Sequence, residues 1–126
     1  MENSFLFVYG SLRPQAGTPQ GQWLAEQGHY LGSGVVSGQL YRVGWYPALG
    51  PGYDPVVGDI YGIPEFLWEK LDAYEEVLGE NPEYQRILTP VQYQGGLWLD
   101  AWVYWYARPL AGLEPVSGGD WLNARP

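Results

Sequence analysis

Phe5-Leu6-Phe7-Val8-Tyr9-Gly10-Ser11-Leu12-Arg13 is the stretch on which the fold turns. Its five leading apolar residues lack the in-out alternation of a half-exposed strand, which predicts a strand buried on both faces. Gly10-Ser11 then breaks the run. A buried strand ending in a glycine turn brings backbone N–H groups to the rim of the core, where they can face a carboxylate or an oxyanion. The turn is no P-loop, because the Gly-Lys-Ser/Thr ending is missing. Ser11 also lacks the Gly-x-Ser-x-Gly surroundings of a nucleophile elbow. An ordinary strand exit is the other reading of these residues.

Outward from this stretch, Thr18-Pro19 marks a helix start, with Thr18 as N-cap and Pro19 at the first helical position. Trp23 and Leu24 give that short helix an apolar side, and Gly28 stops it. Residues 29–43 read as a strand bent at Gly32, Gly34 and Gly38. Residues 44–55 hold Pro47, Pro51 and Pro55 and read as a loop, and 56–63 as another strand. Pro64 opens the main helix. Leu67, Leu71, Tyr74 and Leu78 recur at helical spacing as one apolar stripe, and Gly79-Glu80-Asn81-Pro82 ends it. Residues 84–93 and 98–107 are strands joined by a tight turn at Gly95-Gly96. From Arg108 the chain reads as a coil packed on the body through Trp121. Strands dominate without repeated βαβ units, which predicts one α+β domain over residues 1–126 with a curled, mostly antiparallel sheet.

Composition narrows the function classes. The 126 residues suit a single domain. Apolar residues make up 46% of the chain, and its 18 glycines and 11 prolines form no repeat, so it reads as compact and turn-rich rather than disordered. Fourteen acidic against 6 basic residues give a net charge of −8, which argues against partners with phosphate backbones or anionic membrane surfaces. There is no cysteine and one histidine, His29, so thiol chemistry is excluded and metal sites lack their usual ligands. The first residues lack a basic n-region and a long apolar run, and no segment reaches membrane-spanning length, which predicts a cytoplasmic protein without a membrane partner.

One carboxylate stands out. By the 3.6-residue period, Glu75 lies roughly 80° from Leu67, on the flank of the buried stripe, with Trp68 almost beneath it. Glu76 falls on the opposite side and Asp72 between the two. The three acids crowd the helix C-terminus, where the dipole is negative. Mutual repulsion and partial burial beside Trp68 add to that, so the Glu75 pKa is expected to rise, as a proton-transferring carboxylate near neutral pH requires. A solvated acidic helix end is the plain alternative. Tyr84 and Arg86 share a strand face. They can hold a substrate carboxylate, or Arg86 can pair with one of the 14 acids.

Taken in order, these pieces resemble the γ-glutamylcyclotransferase-like family. Phe7-Val8-Tyr9-Gly10-Ser11-Leu12-Arg13 is similar to its opening strand and substrate loop. Gly38-Gln39-Leu40-Tyr41 with Gly44-Trp45-Tyr46-Pro47-Ala48, and Val57-Gly58-Asp59-Ile60-Tyr61, resemble its following strands. Leu71-Asp72-Ala73-Tyr74-Glu75 resembles the helix with the catalytic glutamate, and Tyr84-Gln85-Arg86 a Tyr-x-Arg step. Ala101-Trp102-Val103-Tyr104 and Ser117-Gly118-Gly119-Asp120-Trp121 resemble its closing elements. Three positions depart: Glu76 stands where the family often has Gly, Asp59 where Glu is common, and the asparagine that often follows the substrate loop has no counterpart near Thr18. The resemblance implies a small β-barrel with one main and one short helix. It implies cleavage of a γ-glutamyl amide by its own α-amine to 5-oxoproline and a free amine or amino acid. Glu75 would be the acid/base, with Tyr9, Gly10, Ser11, Leu12, Tyr84 and Arg86 holding the substrate and no metal or organic cofactor. A non-catalytic binding module with the same pocket, and a two-carboxylate hydrolase pairing Glu75 with Asp72, are the competing readings.

Overall fold

A computed structural model of the chain describes residues 4–77, 79–93 and 96–124. Six strands form one sheet: β1 (Ser4–Val8), β2 (His29–Val43), β3 (Tyr46–Ile63), β4 (Tyr84–Tyr93), β5 (Trp98–Tyr106) and β6 (Glu114–Val116). Their order is β3-β1-β5-β4-β2-β6, and β3 pairs with β2 as well, so β1 to β5 close into a barrel with β6 outside it on β2. Only the β1–β5 contact is parallel, and the other pairings are antiparallel. Two helices complete the fold, α1 (Pro19–Gln27) and α2 (Trp68–Tyr74). The chain is thus an α+β protein built on a small mixed barrel.

The β1 run lacks alternation because each of its faces meets a different core. Phe7 packs with Val36, Leu40, Val56, Ile60, Val91 and Val103 from the other barrel strands. Leu6 and Val8 pack with Leu24 of α1 and with Leu67, Trp68 and Leu71 at α2. Leu6 and Phe7 have no accessible surface, and full burial of a side chain of this size is worth about 1.5–3 kcal/mol. With β3 on one side and β5 on the other, β1 holds both layers together.

Four expectations change. Residues 44–55 are not a loop: the turn is confined to Gly44 and Trp45, and β3 runs through all three prolines. Residues 46–55 lie beyond the reach of β1, which pairs only with 59–63, so this arm presents an edge where a missing N–H is tolerated. Pro51 falls where the β2 register jumps between Gly38 and Gln39. The main helix is also shorter than its apolar stripe, because α2 ends at Tyr74; Leu78 lies outside the described residues. The tail is not only coil, since β6 pairs with Leu40, Tyr41 and Arg42 of β2 and a 3-10 turn spans Trp121–Asn123. The β5 strand stops at Tyr106. Tyr93 donates its N–H to Leu97 O across the β4–β5 hairpin, at 2.6 Å; of the expected Gly95-Gly96 turn, Gly95 lies outside the described residues.

Candidate active site

The β1–α1 turn is fixed from several sides. The Arg13 N–H donates to Gly10 O at 3.0 Å, and a four-residue turn of this kind leaves the N–H groups of its two central residues, Ser11 and Leu12, outside its own hydrogen bond. The buried Arg13 guanidinium donates to Asp59 at 2.7 Å and Asp120 at 3.0 Å. Removing one partner of such a buried pair strands a charge, so Arg13 anchors the turn. Thr18 donates its hydroxyl to Ser11 O and accepts from Gly21 N, so the N-cap of α1 also braces the turn. A Cβ on Gly10 would stand 2.6 Å from Pro47 Cγ, so only glycine lets β3 come this close.

The end of α2 aims the second half of the site. Glu75 is the C-cap, Glu76 takes a left-handed φ of 53°, and the Val77 and Glu76 N–H groups return to Asp72 O and Ala73 O at 3.1 and 3.2 Å. This is the Schellman stop, whose left-handed position normally falls to glycine. Glu76, the position where the chain departs from the family's glycine, therefore sits where glycine has no steric cost. It is the one non-glycine residue with positive φ among the described residues.

Between the turn and the helix end lies a cavity of about 270 Å³. Its walls are the Tyr9–Leu12 segment, Gln20 of α1, Trp45, Tyr46 and Pro47 at the start of β3, Tyr74, Glu75 and Glu76 after α2, Glu83 and Tyr84 opening β4, and Tyr104 of β5. Every tyrosine hydroxyl of the wall is tied down by hydrogen bonding: Tyr9 donates to Tyr104 O, Tyr46 to Glu83, Tyr84 to Pro47 O at 2.6 Å, and Tyr104 to Asp72 at 2.8 Å, while Tyr74 and Ser11 share a bond at 2.9 Å. Burial raises the Tyr9, Tyr84 and Tyr104 pKa values, with the Glu75 charge acting in the same direction, so these phenols stay neutral donors.

Glu75 differs. Among the described residues no donor reaches its carboxyl, and its remaining accessible surface faces the cavity. Desolvation first, and the Glu83 charge second, push its pKa up from 4.5 to about 8. The direction matches the sequence reading, and so does burial as a cause, but the groups responsible differ. The repelling charge is Glu83 rather than Asp72 or Glu76, and Trp68 lies outside the cavity wall, its ring packed on the Arg86 guanidinium at 4.3 Å.

Of the residues singled out from sequence, Tyr9, Gly10, Ser11, Leu12, Glu75 and Tyr84 meet around this cavity, and Arg86 does not. Arg86 donates to both carboxylate oxygens of Asp72, at 3.0 and 3.2 Å, between the rings of Trp68 and Trp102. Sharing a strand face with Tyr84 did not bring it to the cavity. Asp72, which also accepts from Tyr104, is committed to this cluster and is unsuited to pair with Glu75 as a second carboxylate. The residue that sequence reasoning missed is Glu83. It is 6% exposed, yet it follows a Gly-Glu-Asn-Pro turn and so looks like surface. Its position next to Tyr84 was the one available signal. Among the described residues no group of three His, Asp or Glu side chains converges as metal ligands, and no helix is long and apolar enough to cross a membrane.

Known proteins share this chain's sequence pattern and its barrel. The profile described as "Gamma-glutamyl cyclotransferase, AIG2-like" matches residues 6–123. The chain is 36% identical over 118 residues to the γ-glutamylcyclotransferase family protein YtfP of Escherichia coli K12, covering 94% of this chain and 96% of that one. The solution structure of the E. coli protein superposes with a TM-score of 0.69 over the same shares of the two chains. A mouse AIG2-like protein, 26% identical, superposes with a TM-score of 0.70 over 99% of this chain and 86% of that one. The chain belongs to the AIG2-like γ-glutamylcyclotransferase family.

Proposed function

We propose that the protein cleaves a small γ-glutamyl amide by intramolecular attack of the substrate's own α-amine, releasing 5-oxoproline and a free amine or amino acid. The observation that carries this reading is Glu75, a carboxyl without a hydrogen-bond partner, raised to about 8, facing a cavity across from the Gly10–Leu12 turn. The reaction forms a bond between the α-nitrogen and the γ-carbonyl carbon and breaks the bond from that carbon to the leaving nitrogen. Because the nucleophile belongs to the substrate, the site's main task is to fold the γ-glutamyl arm into attack geometry. Ionised Glu75 takes a proton from the α-ammonium and returns it to the leaving nitrogen; the second proton, lost as the attacking nitrogen becomes the lactam N–H, is taken up by the released amine as its ammonium, so no net proton is consumed. The N–H groups of the turn hold the substrate carboxylate or the developing oxyanion. Tyr9 and Tyr84 form neutral walls, and Glu83 raises the basicity of Glu75. Arg86 acts at most through Asp72 and α2.

The test is 5-oxoproline release from a panel of γ-glutamyl amines and γ-glutamyl amino acids, with wild type and Glu75→Gln compared. Turnover is expected in wild type alone. Undiminished turnover by folded Glu75→Gln would remove Glu75 from the reaction. Absence of turnover across the panel, with thermal stabilisation by a γ-glutamyl compound, would leave a binding module.

A further inference from the structure

A second groove, of about 310 Å³, opens beside the first cavity and shares Leu12, Gln20 and Tyr74 with it. Its own residues are Pro19, Trp23 and Lys70, and its surface is mainly apolar. The Lys70 ammonium lies 5.7 Å from the centre of the Trp23 ring. Among the described residues Lys70 enters no ion pair, whereas Arg13, Arg42 and Arg86 each do. The first cavity has the opposite character: Glu75, Glu76 and Glu83 line it, and no Lys or Arg is among its described wall residues.

Resting on the reading of the first cavity as the cyclisation site, we propose that the adjoining groove is its leaving-group subsite, with Trp23 taking an apolar side chain and Lys70 the carboxylate of a γ-glutamyl amino acid. The substrate continues past the scissile amide, and Tyr74, common to both cavities, marks where it crosses. An amino-acid leaving group carries its carboxylate two bonds beyond the scissile nitrogen. The Glu76 and Glu83 charges repel that carboxylate from the first cavity, and Lys70 offers it a counter-charge at the edge of the groove. An aromatic or large aliphatic side chain then covers the Trp23 face and removes its own apolar surface from water.

Binding is read with ligands that cannot cyclise: N-glutaryl-L-phenylalanine and N-glutaryl-phenethylamine, which lack the α-amine and differ from each other by one carboxylate. Calorimetry on wild type is expected to show the carboxylated ligand binding about two- to fivefold tighter, the range of an exposed ion pair. The advantage should disappear in Lys70→Ala, reverse in Lys70→Glu and shrink at high salt. Lys70 is exposed, so these variants are expected to fold. N-glutaryl-glycine should bind wild type more weakly than N-glutaryl-phenylalanine, which tests the Trp23 face without a substitution. No carboxylate preference in wild type, a preference that survives Lys70→Ala, equal binding of the glycine and phenylalanine ligands, or no binding of any of them would overturn the subsite. The 5-oxoproline assay is scored separately. Turnover without the Lys70-dependent preference sinks the subsite alone, and the preference without turnover sinks the proposed reaction alone.

Discussion

Asp72 and Glu75 stand three residues apart at the end of α2, with opposite surroundings. Asp72 accepts two hydrogen bonds from Arg86 and one from Tyr104, and its guanidinium partner is sandwiched by Trp68 and Trp102. Glu75 has no donor, a buried like charge nearby in Glu83, and a cavity in front of it. One carboxylate is consumed in holding the helix to β4 and β5. The other is left destabilised as an anion, and that instability is what a proton-transferring group needs. The contrast teaches that position on a helix does not assign a carboxylate its role; the groups that strands bring to it do.

Glu75→Gln should break the contrast most completely. A fall of about 10²–10⁴-fold in 5-oxoproline formation is the expected kinetic effect, the range for losing an acid/base group. Its stability effect has a sign that can be worked out. The folded pKa of about 8 lies above the ordinary 4.5, so the unfolded chain ionises first as pH rises. The folded state therefore carries a penalty that grows between those two values and is absent below them. Glu75→Gln should raise Tm most above pH 8 and little near pH 4, as thermal melts across that range would show. Equal shifts at both ends would contradict the raised pKa.

Asp72→Asn attacks the other carboxylate. It leaves Arg86 without its charge partner between two indoles, at an expected cost of about 1–3 kcal/mol read by denaturant melts. Combined with Arg86→Met the loss should be less than the two single losses added, since both remove one cluster. Full additivity would show that the pair contributes nothing as a pair.

Glu83→Gln sharpens the comparison at the Glu75 side. Removing the neighbouring negative charge lowers the Glu75 pKa, so the acidic limb of kcat/KM should move to lower pH. A limb that stays in place would mean that burial alone sets it. The smallest expected effect is at Glu76, where glycine relieves a left-handed backbone: Glu76→Gly should stabilise by about 1 kcal/mol in the same melts.

Much of this contrast was legible in the chain itself, and the misses share a cause. Thr18 and Gly28 bound α1 as their local chemistry requires. The strand 29–43 was readable from its pattern, and the register breaks at Gly32 and Gly38 are those its glycines suggest. Pro47, Pro51 and Pro55 misled because proline reports on backbone hydrogen bonding, and a strand edge with no partner asks for none. Leu78 extended the apolar stripe past the helix, because periodicity does not register a Schellman stop at a glutamate. Arg86 shared a face with Tyr84, but which cavity or ion pair that face meets depends on α2, whose Asp72 lies fourteen residues from Arg86 in the chain.

The sequence by itself determined the doubly buried first strand, the glycine turn after it and the placing of Glu75 at a helix end, because these follow from apolar patterning and local backbone preference. Only the tertiary structure decided that Glu83 is the charge acting on Glu75, that Asp72 is taken by Arg86, and that Lys70 and Trp23 border a second groove. Each of those depends on how far apart in space two distant segments come to rest, and desolvation and Coulomb forces are set by that separation rather than by spacing along the chain.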